Sequence, residues 1–285
     1  MTSQIKTGLL LGLLTMLLVL MGSAMGGRGG LLIALFFAVA MNVVSYWYSD
    51  RIVLSMYRAT ELSEDDAPGL FSIVRGLAGN AGLPMPRLYL IPQEQPNAFA
   101  TGRDPEHAAI AVTDGLVRLV TPEELAGVLG HEMAHIKNRD ILVQTVAAVV
   151  GGAITGVAGM LKWGAIFGGF SSSSDDDRGG GAGAAILLAI VAPLAAMLIQ
   201  MAISRSREYL ADETGARLAG NPLPLAGALD KLERSAQQVP MVGANPATEN
   251  MFIVSPLAGG GITTLFSTHP PTEERIRRLR AMAGY

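Results

Sequence analysis

The amino-acid sequence predicts an α+β fold, mainly α, in which four transmembrane helices accompany a water-facing domain with a small β-sheet. Three observations predict it. The chain has 285 residues, half of them hydrophobic and only 16% charged, with mean hydropathy +0.38, too apolar for an ordinary soluble domain. The apolar excess is gathered into four long blocks. The stretches between the blocks have ordinary polarity and carry short strand-like and helical patterns.

The first two blocks are the 21 uncharged residues between Lys6 and Arg28 and the 21 between Arg28 and Asp50. Each is long enough to cross a hydrocarbon core of ~30 Å as a helix, so residues 1–50 read as an N-terminal transmembrane hairpin. A cleaved signal peptide also fits Lys6, the apolar run and GSAMGG. The second block, however, follows within a few residues and ends in SYWYSDR, the aromatic and charged combination of a span's end. An uncleaved hairpin accounts for both.

Residues 51–140 read as the first part of a water-facing domain. DDAPGLFSIVRGLAGNAG predicts a helix with Pro68 near its start and glycines at its end. RLYLI, NAFAT and AAIAVT predict short strands separated by Pro, Gly and Asp. TPEELAGVLGHEMAHIKN predicts a helix with a capping box, since Thr121 can cap, Pro122 suits the first turn and Glu124 stands three residues on.

The third and fourth blocks, Ile141–Leu161 and Gly179–Ser204, make residues 141–204 a second transmembrane hairpin. Their alanine and glycine content suits close helix packing in lipid, although Lys162, Pro193 and Gln200 interrupt it. They are joined by SSSSDDDRGGGAGA, whose composition favours disorder. Residues 205–285 then read as the second part of the domain, with helical runs in SRSREYLADETGARLAG and TEERIRRLRAMAG.

Charge placement orients the assembly. Lys6, Arg51, Arg58, Lys137, Arg139, Arg205 and Arg207 flank the blocks on one side. The hairpin connections offer Arg28, Lys162 and Arg178, the last beside Asp175, Asp176 and Asp177. The positive-inside bias puts both termini and the HEMAH helix in the cytoplasm. Net charge is −3 without a basic cluster, so no nucleic-acid partner is expected. The absence of cysteine agrees with a reducing compartment.

HEMAH carries the chemistry. Residues four apart lie on one helix face, so His131 and His135 can offer imidazole nitrogens to one ion. Glu132, one step round, can hold a water rather than ligate. This is the mechanical content of H-E-x-x-H, and zinc suits two imidazoles plus an oxygen ligand. A catalytic zinc needs a third protein ligand and an open position. SREYLAD places Glu208 and Asp212 four apart on another helix. One can ligate while the other takes a ligand histidine's ring N–H, and spacing alone leaves their roles open. His107 reads as unrelated to the metal.

HEMAHIKNRD, SREYLAD and STHPPTEERI, in this order and separated by an apolar hairpin, resemble the HtpX-type membrane heat-shock metallopeptidases. These are relatives of the CAAX prenyl proteases within the gluzincin group, and the likeness covers nearly the whole chain, including the N-terminal hairpin and NAFATG. The resemblance implies a gluzincin-like peptidase domain in a multi-pass inner-membrane zinc endopeptidase. Its cofactor would be one zinc ion, and its substrates misfolded or unassembled membrane proteins at the lipid bilayer. His131, His135 and Glu208 would be the metal ligands, Glu132 the catalytic base, and Asp212 the orienter of a histidine. His269 would stabilise the oxyanion, and Asn97 and Arg275 would hold substrate. The alternatives are a non-catalytic zinc-stabilised membrane scaffold or chaperone and a CAAX-type processing protease.

Overall fold

A computed structural model describes residues 3–150, 205–239, 241, 246–256 and 270–284. Most of the third apolar block, the whole of the fourth, the SSSSDDDRGGGAGA run and His269 lie outside the described residues.

The N-terminal apolar sequence forms α1 (Ser3–Met56), a helix interrupted at Gly26 and Gly27. Gly27 has φ 55°, in the left-handed region that glycine enters without steric cost. The break lets the chain double back, for Asn42 Nδ2 donates to Thr15 Oγ1 at 2.7 Å. In a straight helix rising 1.5 Å per residue those side chains would lie about 40 Å apart. The arms cross where Gly22 and Gly30 meet backbone to backbone, leaving no room for a Cβ on either. Leu9, Leu20, Leu32, Phe36, Phe37 and Trp47 are all exposed, so the hairpin presents an apolar surface that only lipid or another apolar partner would cover. Among the described residues, Gly26–Met56 is long and apolar enough to cross a membrane.

The next segment builds the sheet: β1 (Thr60–Glu61), then α2 (Pro68–Ala81), β2 (Arg87–Ile91), β3 (Ala98–Thr101) and β4 (Ala109–Thr113). The strand order is β1-β2-β4-β3. The sheet is mixed, with β4 parallel to β2 and antiparallel to β3. Alternate residues of β4 enter opposite clusters, as a period of two requires. Ile110 and Val112 pack with Leu88 against Leu129 and Met133, whereas Ala109 and Ala111 join Tyr57, Phe99 and Phe252. Each fully buried Leu, Ile or Met contributes about 1.5–3 kcal/mol, so the sheet is held from both faces.

After α3 (Asp114–Leu119) comes α4 (Pro122–Lys137), whose N-terminus has the expected capping box of Thr121 and Glu124. α4 ends at Asn138, and Arg139 at φ 58° turns the chain directly into α5, described over Ile141–Val150. Leu142, Val143, Val146, Ala147 and Val150 of α5 pack with Leu11, Leu18 and Met41 from both arms of α1.

The chain returns as α6 (Arg205–Ala219), α7 (Pro222–Gln238) and α8 (Thr272–Met282). α6 lies antiparallel against α4 at a glycine crossing. A Cβ on Gly215 would meet His131 N at 2.5 Å, and one on Gly130 would meet Gly215 O at 2.8 Å. Two helices belonging to none of the elements that the sequence patterns single out complete the domain, α3 and α7. α7 begins NPLPLAG, which reads as turn punctuation, yet Asn221 caps it by accepting from Leu223 N, and proline is tolerated in a first turn. Over the described residues the protein is therefore mainly helical with a small mixed sheet.

Candidate metal centre

The glycine crossing decides which side chains meet. With Gly130 against Gly215 and the helices antiparallel, each step toward the C-terminus of α4 faces an earlier residue of α6. His131 accordingly faces Asp212, and His135 faces Glu208. All four are buried.

The ligand atoms converge. His131 Nε2 and His135 Nε2 are 3.2 Å apart. The Glu208 oxygens lie 3.6 Å from each of them, Oε2 toward His131 and Oε1 toward His135. A tetrahedral zinc with bonds of ~2.0–2.1 Å requires ligand atoms about 3.3 Å apart. The 3.2 Å between the two imidazole nitrogens matches that requirement, and the Glu208 carboxylate presents one oxygen to each of them at 3.6 Å. Among the described residues, His131, His135 and Glu208 form the group able to hold a metal ion.

The surroundings fix the ligands. His131 Nδ1 stands 2.9 Å from Asp212 Oδ1, which places the ring proton there and turns the Nε2 lone pair to the centre. Asp212 is in turn gripped by Arg275, whose Nε and Nη2 donate to its two oxygens at 2.8 and 2.7 Å. Burial alone would raise the Asp212 pKa, but Arg275 and His131 outweigh it and hold the carboxyl below the usual range. Burial lowers the pKa of His131, consistent with a neutral ligand ring. Burial also works against charge on His135, yet Glu208, Asp140 and Glu132 outweigh it and push that ring up to about 9.

Glu132 lies beside the centre, 1% exposed. Neither of its carboxylate oxygens has a hydrogen bond of normal geometry among the described residues, although the Ala100 amide is near enough to favour its charge. Burial raises its pKa to about 7. A buried carboxylate without firm partners costs free energy, and such groups collect where chemistry is done.

The Ala100 amide is available because of the sheet register. Thr113 N donates to Asn97 O at 3.0 Å, so in the antiparallel β3–β4 pair the alternate residues Ala98 and Ala100 turn their N–H and C=O groups outward. Ile253 N takes the Ala98 carbonyl at 3.2 Å. β3 is thus an edge strand beside Glu132, covered at Ala98 by the chain's own segment.

The remaining expected residues fall as follows. Asn97 is fully buried, and its Nδ2 donates to Val254 O at 2.9 Å, tying the start of β3 to the segment after Phe252. Arg275, expected at the substrate, has its guanidinium engaged with Asp212 and, through Nη1, with Ile253 O at 2.6 Å. It is 1% exposed, and it supports the candidate ligand His131 through Asp212. His107 is exposed, and its backbone N–H donates at 2.8 Å to Asp104 Oδ1, which caps that turn. Sequence reasoning did not connect Asp140 and Arg207 with His135, beside which they meet, or find the Gly130–Gly215 crossing. A glycine immediately before HEMAH was the available signal for the crossing.

Comparison with known proteins agrees with this geometry. Residues 63–283 match Peptidase family M48. The chain is 59% identical over 282 residues to "Protease HtpX homolog" of Syntrophobacter fumaroxidans, covering 99% of this chain and 100% of that protein. It is 57% identical over 279 residues to the protein of the same name from Thermococcus kodakarensis, covering 98% and 96%. The crystal structure of S. mikatae Ste24p superposes with TM-score 0.54 at 20% identity, a likeness of fold, over 94% of this chain. This chain spans 62% of that one's length. A matched family over most of the chain, near-full-length protease relatives and a buried His–His–Glu centre together lead to one assignment: the chain is a metalloprotease and belongs to Peptidase family M48.

Proposed function

We propose that the protein is an integral membrane zinc endopeptidase that hydrolyses peptide bonds of misfolded or unassembled membrane proteins. The observation that carries this reading is the convergence of His131, His135 and Glu208 within bonding separation of one ion, with Glu132 beside them. Two histidines and one carboxylate are a zinc donor set that leaves a coordination position open. A zinc ion held there supplies a water of lowered pKa and polarises the scissile carbonyl.

The chain's own residues do the rest. Glu132 accepts a proton on its carboxylate and hands it to the leaving amine, and a group raised to about 7 is matched to both transfers near neutrality. Asp212 and Arg275 keep His131 in the tautomer that ligates. The β3 edge at Ala100 pairs with an extended peptide by main-chain hydrogen bonds, which do not read side chains and so admit many sequences. His269 donates to the developing oxyanion, and Asn97 acts on substrate by shaping the segment that limits the edge.

The membrane part of the proposal is a four-span protein of the inner membrane. Its termini and metal centre face the cytoplasm, and hairpins 1–50 and 141–204 anchor the domain parts 51–140 and 205–285. Three contacts support a centre held close to the bilayer: Arg103 stacks on Trp47 at 4.7 Å, Arg87 pairs with Asp50 at 2.8 Å, and α5 packs on α1. A non-catalytic scaffold is disfavoured by Glu132, whose burial costs stability that a structural zinc site has no reason to bear.

Topology is testable directly, because the chain has no cysteine. Single cysteines at Arg28, Arg139 and Arg277 should label from the periplasmic side at Arg28 and from the cytoplasmic side at the others. Labelling of Arg139→Cys from outside the cell would overturn the orientation.

A further inference from the structure

His131 is backed by a hydrogen-bonded Asp–Arg pair, and beside the second histidine stands a more widely spaced Asp–Arg pair from different elements. His135 Nδ1 is 3.6 Å from Asp140 Oδ2, and Asp140 Oδ1 is 3.5 Å from Arg207 Nη1. The Asp140 side chain is 3% exposed and that of Arg207 12%. Charges this deeply buried are stable only when paired. The carboxylate is aimed by its own backbone, since Asp140 N donates to His135 O at 2.9 Å and brings the residue back beneath the imidazole.

We infer that Asp140, held by Arg207, is the positioning residue for His135. Its carboxylate faces the Nδ1–H, so that the Nε2 lone pair faces the metal, and Arg207 holds that carboxylate in place. The two ligand histidines are thereby oriented independently, one by Asp212 and Arg275 and the other by Asp140 and Arg207. At 3.6 Å the His135 contact is longer than a hydrogen bond, whereas His131 is held at 2.9 Å, so His135 is the looser ligand.

The location of the pair adds a consequence. Asp140 immediately precedes α5, and Arg207 lies in the first turn of α6. Together they join the two ends of segment 141–204 beside a metal ligand.

The inference rests on the metal reading of the site, and the test separates the two. The full chain is purified in detergent, and zinc affinity is measured by chelator competition beside the visible spectrum of the Co²⁺-loaded protein. Asp140→Ser retains a residue that caps α5 but cannot reach His135. It should bind zinc about 10- to 100-fold more weakly, the range for loss of a ligand's orienting partner, with altered Co²⁺ bands. Asp140→Asn, which still accepts from Nδ1, should fall between that variant and wild type. Arg207→Gln, which leaves the cap untouched, should weaken zinc in the same direction. Asp140→Ser and Arg207→Gln variants with wild-type affinity and an unchanged Co²⁺ spectrum would overturn the inference. Uptake of zinc by His135→Ala as tightly as by wild type would overturn the metal reading itself.

Discussion

Arg275 clasps Asp212 through two hydrogen bonds of 2.8 and 2.7 Å in the protein interior, and Asp212 in turn holds His131 at 2.9 Å. A charge on α8 thus reaches the metal centre through a residue of α6. Removing one partner of such a pair leaves the other charge buried and alone, which costs about 3–5 kcal/mol. Arg275→Ala should lose stability of that order in denaturant unfolding. Arg275→Lys should recover only part of it, because an ammonium cannot reproduce the planar two-pronged contact. Full recovery with lysine would show that charge alone suffices.

The crossing of Gly130 and Gly215 should be as sensitive as any ligand. A Cβ at Gly215 would lie 2.5 Å from His131 N and 2.7 Å from Gly130 C, both of them rigid backbone. Gly215→Ala should therefore cost roughly 1–3 kcal/mol by overpacking, and it should weaken zinc binding because α6 carries Glu208. Gly76→Ala is the control. Nothing lies within 4 Å of a Cβ there, so the change should stabilise α2 by about 0.5–1 kcal/mol. Equal effects from the two substitutions would remove the crossing from the account.

Glu132 and Glu208 should separate chemistry from metal binding. Glu132→Ala is expected to keep zinc and lose cleavage by a factor of roughly 10²–10⁴, the usual contribution of a positioned acid–base group. Glu208→Ala should instead lose zinc affinity, measured by metal content after dialysis. A Glu132→Ala protein that cleaves at the wild-type rate would exclude Glu132 from the mechanism.

Proton release should accompany metal uptake. Glu208, Asp140 and Glu132 raise His135 to about 9 against the opposing effect of burial, so at pH 7 the ring carries a proton that a ligand must surrender. The sign follows: zinc affinity rises with pH through neutrality toward about 9, and loading at pH 7 releases about one proton from this ring. Calorimetry in buffers of different ionisation enthalpy measures it. A binding enthalpy independent of buffer would contradict the assignment.

Local chemistry was legible in the sequence, and long-range pairing was not. The capping box at Thr121, strands RLYLI and AAIAVT, helix α2 with its glycine stop and the His131–His135 spacing all depend on residues within a turn or two. Which of Glu208 and Asp212 faces the candidate centre could not follow from spacing, since both share one helix face. It follows from the antiparallel crossing, which puts Glu208 against the two Nε2 atoms and Asp212 against Nδ1 of His131. Arg275 read as a substrate contact because nothing near it in sequence reveals a buried acid on α6. α7 was missed because Pro222, Pro224 and Gly227 look like punctuation, whereas Asn221 and the tolerance of a first turn for proline make them a helix start.

The central claim is that His131, His135 and Glu208 hold one zinc ion and that Glu132 works beside it on unfolded membrane protein. Its most direct test is cleavage of a denatured membrane protein by purified wild type before chelation, after chelation and after return of zinc, with bound metal counted at each stage. The account predicts one zinc per chain, loss of cleavage with its removal and recovery with its return. Cleavage that persists in protein shown to be free of metal would contradict it.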